Sequence, residues 1–319
     1  FTGSETSLYA RDIQLNKTVL KGFLQTNGYN QNIFYLKPNK LFTLDGFEVT
    51  EFGIAVSSYN PNQANLQLGD RYKITVNNCN FHDSSYPFYF EHSTDFNVTN
   101  TFFKNLYSFH IDSKTSSLGG NPLTDYSIIK FTNSKFDYSD SNNGIMSCNN
   151  GQFDITNCVI NYSGNYMVSF SDCRGWKLKG CIIKGLRSSV VSGSFISAPQ
   201  IIEDCVFEDF SNHTLFYSHV LGLSTDQPFK ISNTIFKNSL NSYEIFSGNN
   251  SFELDHVTLS NVSFSNNNVF SFYQGSVKIT NSTFENLSGN NNDCTLMQNV
   301  TGNTKIDNVI YKNNSIPFL

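Results

Sequence analysis

The chain has 319 residues, 15% of them charged, and a net charge of −5. It is long enough to bury one large core, and its 30 Phe and 16 Tyr argue against a disordered chain. Uncharged polar residues dominate instead, with 43 Asn, 40 Ser and 23 Thr. Because Lys and Arg form no cluster, we expect no nucleic acid partner. We also expect no membrane insertion within these residues, since no apolar run approaches the roughly 18 residues of a membrane span.

A short motif recurs along the chain, with an apolar residue two positions before its centre and a large apolar residue three positions after it. The centres are, in chain order, Gly46, Asn78, Asn100, Asn133, Asn157, Gly180, Asp204, Asn233, His256, Asn281 and Asn308. These residue types tolerate a left-handed backbone. The motif therefore predicts a strand that bends at each centre, here called a corner residue, and continues as a second strand. A third apolar stretch follows in each unit and predicts a third strand.

Three short strands per 22–25 residues, repeated about eleven times, resemble the right-handed parallel β-helix of the pectin-lyase-like superfamily. The resemblance implies an all-β solenoid in which the polar side chains at the corners form a ladder between coils. The ladder residues would be Asn78, Asn100, Asn133, Asn157, Asp204, Asn233, Asn281 and Asn308. We expect residues 1–45 to form an amino-terminal cap and a first, weakly defined coil, and residues 46–319 to form one continuous domain. The composition is also similar to that of secreted repeat proteins of AT-rich protists such as social amoebae.

Three coils carry extra residues between the third strand and the next corner strand. The long loops are Ser57–Asp70, Lys114–Asp125 and Leu221–Pro228. β-Helix enzymes that resemble this scaffold build polysaccharide clefts from such loops, but insertions also collect wherever a turn tolerates them. In the first loop, Tyr59, Asn62 and Gln63 are candidate ligand-binding residues.

The signatures of polygalacturonase-type hydrolases and pectate lyases are missing from the sequence. If the chain were nevertheless an enzyme, the acids in the long loops that could serve it are Asp70, Asp125 and Asp226. A denser acidic cluster surrounds one corner, at Glu203, Asp204, Glu208 and Asp209, where structural use explains the residues without chemistry. No spacing of His, Cys or carboxylates predicts a metal site, and no motif predicts a cofactor.

The seven Cys fall into three groups. Four of them follow a corner residue directly, so we expect small buried side chains at Cys79, Cys158, Cys181 and Cys205. Cys148 and Cys173 follow the third strand in adjacent coils and are candidates for a disulfide in an oxidising compartment. Cys294 has no evident mate.

The sequence contains Asn-x-Ser/Thr sequons, which are compatible with a secreted protein. Candidate glycosylation sites are Asn16, Asn97, Asn161, Asn212, Asn249, Asn261, Asn286, Asn299 and Asn313. The sequon at Asn281 is excluded because the corner ladder would occupy its amide. Asn261, Asn286 and Asn313 are better candidates, since they lie five residues after their corners on the following turn.

The sequence favours a non-catalytic extracellular or cell-surface β-helix with a structural or adhesive role, alone or within a larger assembly or filament. The alternative is a polysaccharide lyase or glycoside hydrolase with a cleft beside the long loops. Expected partners are a carbohydrate or a cell-surface or matrix protein. End-to-end self-association is also expected, because the coil ending at Leu319 has no recognisable cap. We therefore expect that the chain continues past Leu319 or that this end docks on another copy, the alternative being a self-capped end.

Overall fold

The structure is a computed structural model that describes residues 18–21, 32–58, 70–112, 126–138, 144–162, 166–187, 189–195, 199–211, 214–220, 228–265, 268–273, 275–289, 294–298 and 302–319. Within these ranges every regular element is a β-strand, and the strands form three sheets in which all pairs are parallel. Successive strands of the chain enter the three sheets in turn. Each sheet therefore pairs every third strand. The all-β parallel solenoid predicted from the repeat is confirmed.

Each coil contributes one strand to each sheet, and the sheets are named here by their place relative to the corner residue. Sheet 1, which leads into the corner, contains Leu41–Asp45, Tyr72–Asn77, Thr94–Thr99, Ser127–Thr132, Gly151–Thr156, Trp176–Lys179, Gln200–Glu203, Phe229–Ser232, Phe252–Asp255, Val277–Thr280 and Thr304–Asp307. Sheet 2, which follows the corner, contains Thr18–Lys21, Phe47–Thr50, Asn80–Ser84, Phe102–Leu106, Lys135–Tyr138, Val159–Tyr162, Ile182–Lys184, Val206–Glu208, Ile235–Ser242, Thr258–Phe264, Thr283–Gly289 and Ile310–Lys312. Sheet 3 contains Asn32–Tyr35, Ile54–Ser57, Tyr86–Phe90, Phe109–Asp112, Met146–Asn149, Tyr166–Cys173, Ser189–Phe195, Thr214–Val220, Glu244–Gly248, Phe270–Phe272 and Met297–Gln298.

The core runs along the axis of the solenoid as stacks of identical or similar side chains. Three residues after the corner, Phe81, Phe103 and Phe136 lie in register on successive coils, with ring centroids 5.4 and 5.2 Å apart and nearly parallel planes. All three rings are buried. Burying one such side chain contributes about 1.5–3 kcal/mol. The alternation of buried and outward residues on each strand thus fixes which side chains face the axis and which reach the surface.

Every corner residue from Gly46 to Asn308 has a positive φ, between 48° and 72°. Apart from the two glycines, their side chains lie at least partly at the surface, and several donate hydrogen bonds to the preceding coil. The Asn100 amide donates to Oδ1 of Asn78 at 3.3 Å, and the Asn308 amide donates to Oδ1 of Asn281 at 2.8 Å. This corner ladder is therefore an exposed row of amides that links coil to coil.

The ladder adapts where a corner residue offers no suitable acceptor. An aspartate directly precedes both Gly46 and His256. Its carboxylate accepts the hydrogen bond that the corner amide of the next coil would otherwise donate to the corner residue. Asn78 donates to Oδ1 of Asp45 at 2.9 Å, and Asn281 donates to Oδ1 of Asp255 at 2.9 Å. In both coils the acceptor is the residue before the corner instead of the corner residue itself, so the hydrogen bond between coils is kept.

A second corner follows the first after five residues. Positive φ recurs at Glu51, Asp83, Asn105, Gly185, Asp209, Asn238, Asn261, Asn286 and Asn313. The Asn286 amide donates to Oδ1 of Asn261 at 2.9 Å, and the Asn261 amide donates to Oδ1 of Asn238 at 3.4 Å. The turn after sheet 2 therefore carries an amide ladder of its own in this stretch. Two coils depart from the pattern and place Tyr138 and Tyr162 in the core at this position.

Directly after the corner lies a third, buried ladder. Its side chains are mostly hydroxyls and thiols, and each hydroxyl or thiol donates to the backbone carbonyl two residues earlier in its own coil. The same side-chain atom accepts the backbone N–H of the equivalent residue in the preceding coil. Ser134, for example, donates to the carbonyl of Thr132 at 3.0 Å and accepts the N–H of Thr101 at 3.2 Å. Cys205 follows the same rule, accepting the N–H of Cys181. Thiols thus replace hydroxyls in the hydroxyl–thiol ladder.

At the carboxyl end the last residues fold back along sheet 3. The backbone N–H of Leu296 donates to the carbonyl of Pro317 at 2.8 Å, and the Ile316 side chain is buried. Ile306 nevertheless stays 41% exposed, whereas the equivalent Ile279 one coil earlier is fully buried. The final residues therefore cover only part of this end of the core.

Candidate functional site

The outer face of sheet 1 carries a shallow depression of about 540 Å³ across four coils. Charged side chains line it, because positions one and three residues before each corner point outward. The lining includes Glu203, Lys230, Glu253, Asp255, Lys278 and Asn281. Sequence reasoning missed this surface as a unit. The alternation of apolar and polar residues along the strands of sheet 1 could have identified it, because this alternation places these positions on the outer face.

Lysines on neighbouring coils neutralise the glutamates of this depression. Lys179 Nζ lies 3.2 Å from Glu203, and Lys177 Nζ lies 3.6 Å from the same oxygen. Lys230 Nζ lies 3.5 Å from Glu253 in the next coil. Opposite charges directly across a strand pair stabilise the in-register arrangement, whereas like charges would oppose it. These glutamates therefore have a structural role in holding the register.

Asp255 is held in its ionised form. Its Oδ1 accepts the Thr280 hydroxyl at 2.7 Å and the Asn281 amide at 2.9 Å. These two hydrogen bonds, helped by His256, lower the pKa of Asp255 to about 2. A general acid must carry a proton at working pH, so its pKa must be raised rather than lowered. Asp255 is thus an acceptor in the corner ladder and not a proton donor.

The acidic cluster around the Asp204 corner does not converge on one point. Glu203 and Asp204 face Lys179, whereas Glu208 lies beyond the corner with Lys184 at 3.0 Å. Asp209 occupies the second corner and lies 3.5 Å from an Arg187 nitrogen. The four carboxylates therefore form ion pairs at three separate places, namely at the first corner, on sheet 2 and at the second corner.

Of the acids proposed for catalysis, the structure describes only Asp70. Its carboxylate accepts the Asn39 amide at 2.6 Å, and Asn39 also accepts the N–H of Arg71 at 3.2 Å. Asp70 therefore ties the end of the first long loop to the preceding coil. The other catalytic and ligand-binding candidates lie outside the described residues, namely Asp125, Asp226, Tyr59, Asn62 and Gln63.

The strands that flank the three long loops show where the loops begin and end. The first joins Ile54–Ser57 to Tyr72–Asn77, the second joins Phe109–Asp112 to Ser127–Thr132, and the third joins Thr214–Val220 to Phe229–Ser232. Each connection leads from sheet 3 to sheet 1. All three loops therefore begin and end at the same edge of the solenoid, in the second, fourth and eighth of these connections.

The cysteines after the corners are buried thiols. Burial raises the pKa of Cys79 to about 11 and the pKa of Cys158 to about 12. Such thiols stay protonated at neutral pH and are poor nucleophiles and poor metal ligands. Cys148 is buried, but the side chain of Cys173 lies outside the described part of the structure, so their disulfide stays a prediction.

The sequons occupy three kinds of position. Asn97 lies on the outer face of sheet 1 and is exposed, and Asn161 lies on the outer face of sheet 2. Asn261 and Asn286 have their amides in the ladder of the second corner, so the contrast drawn from sequence between them and Asn281 is absent from the structure. Asn249 is half-buried, and Asn313 is exposed at a second corner. Asn16, Asn212 and Asn299 lie outside the described residues.

Among the residues that the structure describes, no group of three or more His, Cys, Asp or Glu side chains is arranged to hold a metal ion. The same part of the chain contains no helix with the length and apolar character needed to cross a membrane.

Comparisons with known proteins assign the chain to no family. No protein-family model matches the chain, and no curated protein sequence matches it. Among solved structures, the chain is similar to PfbA, a surface adhesin of Streptococcus pneumoniae. The two chains are 10% identical, the match covers 78% of this chain and 80% of that chain, and the TM-score is 0.29. At this identity and TM-score, the likeness carries no argument about function.

Proposed function

We propose that the chain is a non-catalytic extracellular or cell-surface β-helix that serves adhesion or structure by binding a carbohydrate or a surface or matrix protein. The observation that carries the proposal is the state of the carboxylates in the sheet 1 depression. Hydrogen bonds from Thr280 and Asn281 lower the pKa of Asp255 to about 2, and Glu203 and Glu253 are paired with lysines. Hydrolysis of a glycosidic bond by two carboxyl groups needs one of them protonated.

The geometry of the surface supports binding over an extended length. Coils repeat at about 4.8 Å, so the eleven strands of sheet 1 present a rigid face roughly 50 Å long. Outward side chains keep a fixed spacing because in-register parallel pairing repeats from coil to coil, and the amide, hydroxyl and thiol ladders add links between many of the coils. A surface of this kind suits a repetitive or extended partner. The uncharged polar composition and the sequons support an extracellular location.

The test measures binding and turnover on the same samples. Residues 1–319 are incubated with neutral and acidic polysaccharides, and both affinity electrophoresis and the release of reducing or unsaturated ends are followed. We expect retarded migration in at least one polysaccharide or adhesion to a matrix protein surface, with no new chain ends. Release of ends that disappears in the Asp70→Asn, Asp125→Asn, Asp226→Asn triple variant would replace this proposal with a carbohydrate-active enzyme.

A further inference from the structure

Four aromatic side chains form a contiguous array on the outside of two neighbouring coils. Tyr89 and His110 stack in register on the outer face of sheet 3, with ring centroids 4.5 Å apart and planes inclined by 19°. Tyr86, the first residue of its strand, pairs with Tyr107, which lies two residues before the strand of His110, with ring centroids 5.0 Å apart. Tyr86 also meets Tyr89 edge to face at 6.1 Å, which joins the two pairs. We call these four residues the aromatic array.

The backbone holds the array rigidly. The N–H of Tyr107 donates to the carbonyl of Ser85 at 2.9 Å, so the two turns run in register. Within the strand, Phe88 and Phe90 on either side of Tyr89 are fully buried in the core, and their packing fixes the outward direction of Tyr89. The ring positions are therefore set before any ligand arrives, which reduces the entropy lost on binding.

Stacking between coils alone does not account for the array. The core already supplies aromatic stacks along the axis, such as Phe81 on Phe103, and these rings are fully buried. Tyr107, by contrast, is 46% exposed and presents an aromatic surface to solvent. Tyrosine combines a flat apolar face with a hydroxyl at its rim, a combination enriched where a ligand is bound.

Polar groups surround the array. The Tyr89 hydroxyl donates to Oε1 of Glu91 at 3.2 Å, and Glu91 is itself nearly buried. The array lies beside two of the long-loop connections. Tyr89 pairs with Ser57, which ends the strand before the first long loop, and His110 lies two residues before the end of the strand that precedes the second. Aromatic surface with a few fixed polar groups is the usual makeup of a small-ligand site.

We infer that the aromatic array is a binding site for an uncharged glycan, whose pyranose rings stack on the tyrosines while hydroxyl groups bond to the tyrosine and glutamate oxygens. A negatively charged sugar fits less well, because the Glu91 carboxylate lies at the array and the whole chain carries a charge of −5. The inference rests on the proposed binding function and names its ligand class.

The experiment titrates residues 1–319 with soluble hexasaccharides of β-1,4-linked glucose, mannose and N-acetylglucosamine, with a galacturonic acid hexamer as the charged comparison. Calorimetry measures the affinity, and tyrosine ring signals in NMR locate the contact. We expect at least one neutral hexamer to bind, the charged hexamer to bind more weakly, and the Tyr86→Ala, Tyr107→Ala variant to lose about tenfold or more in affinity.

Two control variants separate stacking from folding. Tyr107→Phe keeps the ring and removes only the hydroxyl, so it should lose less affinity than Tyr107→Ala, whereas Tyr273→Ala removes a tyrosine that is 51% exposed far along the chain and should change nothing. Equal affinity of the double alanine variant and the parent, or no binding of any neutral hexamer, would overturn the inference. Either result leaves the proposed function standing if the parent adheres without cleaving. New reducing ends during the titration would instead refute the proposed function and leave the array as a substrate-binding surface.

Discussion

Replacing Thr234 by Val removes one hydroxyl from the buried hydroxyl–thiol ladder and leaves the shape of the side chain nearly unchanged. Thr234 is fully buried, donates to the carbonyl of Ser232 at 2.8 Å and accepts the N–H of Cys205 at 3.3 Å. Ser232 keeps a partner, because its carbonyl also accepts the N–H of Asp204 at 3.1 Å. The Cys205 N–H loses its side-chain acceptor inside the core. We therefore expect Thr234→Val to cost about 1–3 kcal/mol in the free energy of unfolding.

In the next coil the opposite substitution, which adds a hydroxyl to the ladder, can be made. Val257 occupies the equivalent position and interrupts the ladder, so Val257→Thr should supply an acceptor for the N–H of Thr234 and stabilise the chain. Thermal unfolding followed by circular dichroism measures both effects. For a chain of 319 residues about 1 kcal/mol corresponds to about 1.5 °C, so Thr234→Val should melt roughly 2–5 °C lower.

Hydrogen exchange at the Cys205 amide provides a local readout and should accelerate in Thr234→Val. Thr234→Ser, which keeps the hydroxyl, serves as the matched control and should preserve the protection of that amide. A Thr234→Val variant as stable as the parent, together with a destabilised Val257→Thr variant, would refute the reasoning. In that case the position would be governed by packing alone.

Three further predictions concern the ladders and the buried thiols. Gly180 has a φ of 63°, and a Cβ there would overlap Oδ1 of Asn157. Gly180→Ala should therefore lower the free energy of unfolding by about 1–2 kcal/mol through the strained backbone alone, and by more through the overlap. A double-mutant cycle in urea should show that Asn157→Ala relieves the overlap; purely additive effects would argue against the contact. The pKa of Asp255 is lowered from 3.8 to about 2 in the folded state, so its contribution to stability is full above about pH 4 and is lost as the pH falls towards 2. The melting temperature should therefore fall less steeply between pH 5 and pH 2 in Asp255→Asn than in the parent. An identical pH dependence of the two melting temperatures would contradict the lowered pKa of Asp255. Cys79 and Cys158, with pKa values raised by burial to about 11 and about 12, should resist a thiol reagent at pH 8 until the chain unfolds in denaturant.

The sequence by itself determined the solenoid and the position of its corners. A left-handed backbone is open to few residue types, so Asn, Asp and Gly at a fixed distance from apolar residues mark the corner in each coil without reference to any other coil. Asn78 and Asn281 could be located in this way, and the apolar residues around them could be assigned to the core. Both requirements concern a single coil, so they can be recognised in one short stretch of the sequence.

Only the tertiary structure decided how side chains pair between coils. That Asp255 replaces His256 as the ladder acceptor depends on which residue of the next coil lies opposite, and residues 25 or 26 positions apart meet only once the register is known. The same holds for the aromatic array, where Tyr89 and His110 are 21 positions apart and become neighbours through parallel pairing. Register between coils is set by the packing of the whole stack, because coil lengths differ with every long loop. For this reason the periodic core could be predicted from sequence, whereas the surface that would bind a partner could not.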